Sequence, residues 1–252
     1  MGKVISVVNQ KGGVGKTTTS VNIAAALAFK DKKVLLVDLD PQGNATSGVG
    51  IDKRNTNVSV YDLISDNANI EDVTIKTEFK NLYILPSNIS LAGAEIEMIE
   101  MENRMLKIKN ILEPISNNYD YIFIDCPPSL GLITLNALTA SNSFLVPIQC
   151  EFYALEGLSQ LMMTVRTVKK LYNSQLELEG VLLTMYDGRL NLTIQVANEV
   201  KKFFPDKVYK TVIPRNVRLS EAPSFGQPVL YFDKYSKGSN AYLELANEII
   251  ID

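Results

Sequence analysis

The chain has 252 residues, an apolar fraction of 46% and a net charge of −3, which is enough for one α/β domain with a large core. It contains no histidine, and this excludes a histidine general base, a Ser-His-Asp triad and a histidine metal site. The cysteines, Cys126 and Cys150, stand apart and favour a reducing compartment. No apolar run approaches the roughly 20 residues that span a bilayer.

The first motif is a glycine-rich loop that follows a short apolar strand, Val4 to Val8, and leads into a helix. In this context a glycine-rich loop is typical of phosphate binding, because its backbone N–H groups and the helix N-terminus can point at phosphate oxygens. Lys16 is predicted to reach the β- and γ-phosphates, and the Thr17 hydroxyl to bind Mg²⁺. The predicted nucleotide-binding residues here are Gly12, Gly13, Val14, Gly15, Lys16, Thr17 and Thr18.

The remaining elements alternate between strands and helices. The sequence predicts helices at about 17–30, 60–64, 92–115 with a break near Glu100, 155–171, 191–203 and 240–250. It predicts strands at 34–37, 82–85, 121–124, 144–148, 181–184 and 208–213. This alternation indicates an α/β fold in which a twisted, mostly parallel sheet carries helices on both faces, and we expect a single domain over residues 1–252.

Carboxylates follow two of the predicted strands. Asp38 and Asp40 end one strand, and Asp125 ends another in the form of a Walker B site, where the carboxylate holds Mg²⁺. In a parallel sheet ligands lie at the carboxyl ends of the strands, so Asp38 or Asp40 is expected to handle the attacking water. The loop that begins at Pro127 is predicted to be a switch that senses the γ-phosphate.

Four stretches resemble ParA-type partition ATPases, specifically the Soj group, which have a deviant P-loop of the MinD/ParA kind. They are NQKGGVGKTTT (9–19), DLDPQGN (38–44), IDCPPSLG (124–131) and VIPRNVRLSEAPS (212–224). The loop has Gln10 where the ordinary pattern has glycine, and Lys11 after it; in the family this lysine reaches the nucleotide of a second subunit. The resemblance implies ATP and Mg²⁺ as cofactors and a catalytic set of Lys11, Lys16 and Asp40.

The same resemblance implies a sandwich homodimer formed with ATP, non-specific binding of double-stranded DNA and stimulation of hydrolysis by a ParB-type partner. It places Pro214, Arg215 and Asn216 against the adenine, with Met185 beside them. We expect a cytoplasmic, nucleoid-associated protein with no membrane partner.

The charge distribution bears on DNA binding. Between Met185 and Arg218 seven basic side chains face three acidic ones, although the whole chain is acidic. A local basic surface suits sequence-independent phosphate binding, but the charge pattern alone favours an ordinary solvated surface. With the resemblance, Arg189 and Arg218 become the predicted DNA contacts, and the two could approach each other in the fold.

Three alternatives share the scaffold. A MinD-like membrane ATPase would end in a basic amphipathic helix, whereas residues 241–252 carry acidic side chains and no Lys or Arg. A ligase of the dethiobiotin synthetase kind would need a substrate pocket beside the γ-phosphate, for which the sequence offers no candidate. A nitrogenase-type iron–sulfur reductase would need its cysteines elsewhere, because Cys126 directly follows Asp125.

Overall fold

The computed structural model describes residues 2–151 and 154–251. Its strands are β1 (Lys3–Val7), β2 (Val34–Asp38), β3 (Ile75–Lys76), β4 (Leu82–Leu85), β5 (Tyr121–Asp125), β6 (Ser143–Gln149) and β7 (Glu177–Thr184). Its α-helices are α1 (Lys16–Phe29), α2 (Asn44–Gly48), α3 (Val60–Ile64), α4 (Ile70–Val73), α5 (Leu91–Met98), α6 (Lys107–Leu112), α7 (Leu132–Ala140), α8 (Ala154–Leu171), α9 (Asn191–Phe203), α10 (Val217–Glu221), α11 (Val229–Phe232) and α12 (Lys237–Ile251). Short 3-10 turns cover Arg104–Leu106, Glu113–Asn118 and Ala222–Phe225.

The strands form one seven-stranded sheet in the order β3-β4-β2-β5-β1-β6-β7. Each neighbouring pair is parallel except β3 with β4. The expected α/β fold with a mostly parallel sheet is therefore confirmed, and β3 is the antiparallel exception that the sequence pattern did not predict.

Helices cover both faces of the sheet. Successive strand residues point to opposite faces, and both sets are buried. In β2, Leu35 and Val37 join a core that includes α7 and α8. Val34 and Leu36 join a second core that includes α1 and α12. Burial on both faces explains why β2 is an unbroken apolar run rather than an alternating one.

The strand predicted at 208–213 is wrong. The segment meets β7 through an isolated bridge of Val208 with Val181 and a 2.9 Å hydrogen bond from the Ile213 N–H to the Leu183 carbonyl, and just past its end Pro214 forms a second isolated bridge with Tyr186. Between these bridges the carboxylate of Glu248 in α12 accepts the backbone N–H groups of Lys210 (2.9 Å) and Thr211 (2.7 Å). The segment therefore bonds to a side chain at the positions where strand pairing would continue.

The helical region predicted at 92–115 is interrupted, as expected, but over a longer stretch. It consists of α5 and α6 separated by turns, with Asn103 in the left-handed region at a φ of 52°. The sequence did not predict α7, because its residues are apolar or small on every side and give no amphipathic period. In the described part of the chain no helix is long and apolar enough to cross a membrane.

Candidate functional site

The glycine-rich loop, Asp38 and Asp125 meet at one edge of the sheet. β5 lies between β1 and β2, and the parallel register sets Asp125 opposite both Asp38 and Val7. Parallel strands end at the same edge, so the glycine-rich loop after β1 and the two aspartates form a single site.

The loop curls around the position expected for phosphate. Gly13 and Gly15 have φ values of 75° and 88°, which side-chain-bearing residues rarely adopt. The Lys16 ammonium donates a 3.1 Å hydrogen bond to the Lys11 carbonyl within the same loop. Burial lowers the pKa of Lys16, and the Asp125 charge partly opposes this shift. Lys16 is therefore held over the loop, with an internal carbonyl as its partner.

Asp125 is fully buried and only half satisfied. Its Oδ1 accepts a 2.8 Å hydrogen bond from the Ser20 hydroxyl of α1, whereas Oδ2 is buried without a hydrogen-bond partner. Burial and the neighbouring Asp38 charge raise the pKa of Asp125 to about 7, and the hydroxyls of Ser20 and Thr17 lower it in part. An orphaned carboxylate oxygen next to the Thr17 hydroxyl is a donor set that suits Mg²⁺.

A metal cage made of protein side chains alone is not present in residues 2–151 and 154–251, where no group of three or more His, Cys, Asp or Glu could hold an ion. Mg²⁺ usually takes one or two protein ligands and completes its shell with phosphate oxygens and water. The arrangement of Thr17 and Asp125 fits that mode of binding.

Asp38 and Asp40 differ in how far they are satisfied. Asp38 accepts hydrogen bonds from the Thr46 N–H (2.8 Å), the Thr46 hydroxyl (2.7 Å) and the Asp40 N–H (3.1 Å). Asp40 accepts one from the Gln42 N–H (2.9 Å) and remains slightly exposed. Asp38 thus ties the loop together, and Asp40 has free acceptor capacity for a water molecule.

Lys11 is paired within its own chain. Its ammonium lies 2.5 Å from the carboxylate of Glu151, just after β6, and both side chains are partly exposed. Next to Lys11 is an open groove of about 520 Å³, which is also lined by Ser129 and Leu130 of the loop after β5 and by Gln160 of α8. The predicted switch residue Pro127 is buried at the start of that loop.

The four residues predicted to contact adenine lie together. A cavity of about 350 Å³ is lined by Met185, Pro214, Arg215 and Asn216, and it reaches the phosphate loop at Gly15 and Thr18. Met185 has a φ of 48°, an uncommon conformation of the kind found at ligand sites. The structure thus connects this cavity to the phosphate loop, and the role in adenine binding stays a prediction.

The two predicted DNA-contacting arginines are exposed and locally paired. Arg189 makes two hydrogen bonds to the Asp187 carboxylate, at 2.9 and 2.7 Å. Arg218 pairs with Glu221 at 2.8 Å and Asp233 at 3.2 Å. Each guanidinium is bound to carboxylates of its own neighbourhood, and no contact joins the two among the described residues.

Several site residues were not predicted from the sequence. Ser20 binds Asp125, Thr46 binds Asp38, Glu151 binds Lys11, and the Thr184 hydroxyl donates to the Val14 carbonyl at 2.8 Å. Thr46 is eight residues from Asp38 and lies in α2, directly after the Asp-Pro-Gln-Gly turn, so its nearness in sequence was a usable signal. Glu151 and Thr184 come from distant strand ends, which sequence spacing does not connect.

Comparison with known proteins assigns the family. The family described as "AAA domain" matches residues 2–178. The chain is 61% identical to the sporulation initiation inhibitor protein Soj of Bacillus subtilis, over 99% of this chain and 98% of that protein. It is 49% identical to the chromosome partitioning protein ParA of Myxococcus xanthus, over 99% and 88% of the two chains.

A solved structure agrees with this assignment at the level of the fold. Cobyrinic acid a,c-diamide synthase of Mycobacterium smegmatis, with bound ATP analog and magnesium, superposes with a TM-score of 0.87 at 37% identity. The alignment covers 99% of this chain and 95% of that one. By its sequence, the chain belongs to the Soj/ParA family of chromosome-partitioning ATPases.

Proposed function

We propose that residues 1–252 act as one P-loop ATPase domain that partitions DNA through an ATP-dependent switch. ATP and Mg²⁺ join two copies in a nucleotide-sandwich dimer, and the dimer binds double-stranded DNA without sequence preference. Slow Mg²⁺-dependent hydrolysis, stimulated by a ParB-type partner, releases the DNA and supports chromosome or plasmid segregation. The protein acts in the cytoplasm, associated with the nucleoid.

The observation that carries this proposal is the convergence of Lys16, Asp40 and a half-satisfied Asp125 at one sheet edge. The same site supports ATP and Mg²⁺ as the cofactors. The M. smegmatis relative holds an ATP analog and magnesium, and here the Thr17 hydroxyl and Asp125 Oδ2 would hold Mg²⁺. When bound, the ion would neutralise charge on the phosphate oxygens.

The chain's own residues account for the rest of the chemistry. When ATP binds, the Lys16 ammonium gives up its hydrogen bond to the Lys11 carbonyl and donates to phosphate oxygens instead. The backbone N–H groups of the loop surround the same oxygens. Asp40 holds the attacking water in line, which suffices for slow hydrolysis because phosphoryl transfer depends on positioning and charge neutralisation more than on a strong base. Asp38 contributes by fixing the loop that carries Asp40.

Dimer formation is supported by the position of Lys11. Its side chain is partly exposed beside an open groove, and within residues 2–151 and 154–251 its one ion pair is with Glu151. An exposed pair of this kind contributes about 0–1 kcal/mol, so contact with a second subunit's nucleotide replaces it at little cost.

DNA binding is supported by the exposure of Arg189 and Arg218, whose carboxylate partners are also on the surface. The competing function is the reaction named for the M. smegmatis relative, a small-molecule amidation. The identity to Soj, 61% against 37%, favours partitioning.

The test is to measure the molecular mass and the affinity for unrelated DNA duplexes in ATP, in ADP and without nucleotide. We expect a dimer that binds DNA in the presence of ATP, and no such dimer with ADP or without nucleotide. Equal DNA affinity in ATP and ADP would contradict it. Turnover that requires an added small-molecule substrate would favour the amidation instead.

A further inference from the structure

One carboxylate holds the segment that leads into the predicted adenine turn at 214–216. Glu248 of α12 accepts the backbone N–H groups of Lys210 at 2.9 Å and of Thr211 at 2.7 Å, each on a different oxygen. It also accepts the Thr211 hydroxyl. Hydrogen bonds to a carboxylate are stronger than those between neutral groups, so this side chain fixes the middle of the segment.

The far end of the segment is bonded to the end of β7 on both sides of Met185. The Ile213 N–H donates to the Leu183 carbonyl at 2.9 Å, and the Ile213 carbonyl accepts the Tyr186 N–H at 2.9 Å. Ile213 and Met185 line the cavity that the adenine is predicted to occupy, and Glu248 is not among the described residues that line it. Glu248 therefore supports one wall of this cavity from outside, through the backbone.

The helix that carries Glu248 also forms part of the cavity. Tyr242 of α12 lines it and is fully buried. The Tyr242 hydroxyl lies 3.2 Å from the hydroxyl of Thr19 in α1, the helix that begins at the phosphate loop. Glu248 follows Tyr242 by six residues, about 9 Å along a helix. α12 thus fixes both the cavity and the segment beside it relative to the phosphate loop.

We propose that Glu248 is a positioning residue for the nucleotide base, because its bonds to Lys210 and Thr211 hold the turn at 214–216 in place before the nucleotide arrives. This role rests on the proposed function in one respect, since the cavity is taken to hold the adenine. Lys210 is exposed and Thr211 is half-buried, so without Glu248 their N–H groups would bond to water and the segment would be ordered only on binding. Ordering on binding lowers affinity.

The test compares ADP with inorganic pyrophosphate, both with Mg²⁺, by titration calorimetry. Pyrophosphate carries the phosphate oxygens without base or ribose, so the ratio of the two affinities measures the contribution of the nucleoside. Neither ligand requires hydrolysis or the proposed ATP-dependent dimer. The wild type should bind ADP at least about tenfold more tightly than pyrophosphate. In Glu248→Ala the affinity for ADP should fall about tenfold, while that for pyrophosphate stays within about twofold.

Two further variants control for folding and charge. Glu248→Gln keeps one oxygen acceptor for the Thr211 donors, so its affinity for ADP should lie between those of the wild type and Glu248→Ala. If the alanine variant does not fold, the glutamine variant carries the test. Glu244→Ala removes the same charge from an exposed position one turn earlier in α12, and it should bind both ligands like the wild type.

Phosphate release from ATP gives a second measurement. Glu248→Ala should raise the KM for ATP about tenfold and leave kcat unchanged, because the ground state and the transition state use the base cavity equally. A lower kcat with an unchanged KM would contradict a role in base positioning.

The outcomes separate this role from the proposed function. Unchanged ADP affinity in both Glu248 variants, or equal losses for ADP and pyrophosphate, overturns the proposal, and equal losses would mean that Glu248 only stabilises the fold. A wild type that binds ADP no better than pyrophosphate overturns the adenine assignment together with this role. Absence of the dimer or of DNA binding in ATP counts against the proposed function alone, because neither enters the comparison of ADP with pyrophosphate.

Discussion

At the residue scale, burial decides between two neighbouring carboxylates. Asp38 and Asp40 leave the same strand end, and the sequence offered either for the attacking water. Asp38 is fully buried and accepts three hydrogen bonds, whereas Asp40 accepts one and retains some exposure. A group that must accept a hydrogen bond from water needs free lone pairs, so Asp40 is the better candidate.

Replacing Asp40 should separate binding from hydrolysis. Asp40→Ala removes the water-orienting oxygen and leaves the phosphate loop intact, so phosphate release should fall about a hundredfold while ATP binding and the dimer persist. Asp72→Ala, which alters an exposed carboxylate of α4, is the control. Normal turnover in Asp40→Ala would exclude this role.

Lys11 should matter for assembly more than for binding in one subunit. Lys11→Ala removes an ammonium that pairs with Glu151 of its own chain, so monomeric nucleotide binding should survive and the ATP-dependent dimer should not form. Sedimentation with ATP measures this. Lys80→Ala, which breaks an exposed pair with Asp31, should dimerise normally. An unchanged dimer in Lys11→Ala would refute the cross-subunit role.

The buried aspartates predict a pH dependence of stability in EDTA without nucleotide. Burial and the Asp38 charge raise the pKa of Asp125 to about 7, and burial raises the pKa of Asp38 to about 6. The folded chain then holds protons that the unfolded chain, with an Asp pKa of about 3.9, has released. The stabilising contribution is complete below about pH 4 and is lost as the pH rises through 6 and 7.

Thermal unfolding between pH 5 and 8 tests this expectation. Asp125→Asn places a neutral group at that position. The melting temperature of the variant, relative to that of the wild type, should therefore increase as the pH rises. A melting-temperature difference that stays constant across this range would show that Asp125 does not titrate there.

At the element scale, the phosphate loop depends on backbone conformation. Gly13 has a φ of 75°, and a Cβ there would meet no atom within 4 Å, so Gly13→Ala is unfavourable through the backbone alone. It should lower the free energy of unfolding by about 1 kcal/mol and weaken nucleotide binding.

Gly12→Ala is the matched control for this change, because Gly12 is not in the left-handed region and its Cβ would lie 4.0 Å from Pro128. Chemical denaturation of both variants gives the comparison. Equal stability losses would mean that packing, and not φ, sets the requirement for glycine.

The same scale shows where sequence patterns fail. The segment predicted as a strand at 208–213 has the β-branched residues typical of strands. Two of its N–H groups donate instead to Glu248 of α12, about 37 residues further along the chain. α7 is mostly buried, and its half-buried positions Leu132, Leu135 and Ala140 are also apolar, so it lacks the polar–apolar period that distinguishes a surface helix. In both cases the deciding contact comes from another part of the chain.

At the scale of the whole molecule, the order of the strands in the sheet brings the site residues together. Sequence motifs pointed to the loop lysines and the strand-end aspartates, but not to their partners. The loop lysines and the strand-end aspartates lie within motifs whose spacing is local. Their partners do not: Glu151 is 140 residues from Lys11, and Thr184 is 170 residues from Val14. Only the packing of β6 and β7 beside β1 brings these side chains to the loop.

The proposed DNA binding belongs to this scale, because the proposed dimer would present the phosphate contacts of two subunits on one surface. Arg189→Ala or Arg218→Ala should lose affinity for DNA while keeping ATP binding and the dimer, and wild-type affinity should fall steeply with salt through counterion release. Mobility assays at several salt concentrations measure both effects. Arg104→Ala, which alters an exposed arginine of the turn between α5 and α6, is the control, and undiminished binding in both arginine variants would refute this interface.

The Asp38 carboxylate closes the segment from residue 38 to Thr46 into a hydrogen-bonded ring before any ligand arrives. Fixing a residue's backbone costs about 1–2 kcal/mol of conformational entropy, and here that cost falls on folding rather than on the encounter with ATP. Asp40 is thus preorganised: its reach toward the nucleotide needs no ordering of the segment that carries it. In the proposed ATP cycle, ordering of this segment is therefore not among the changes that ATP binding has to drive.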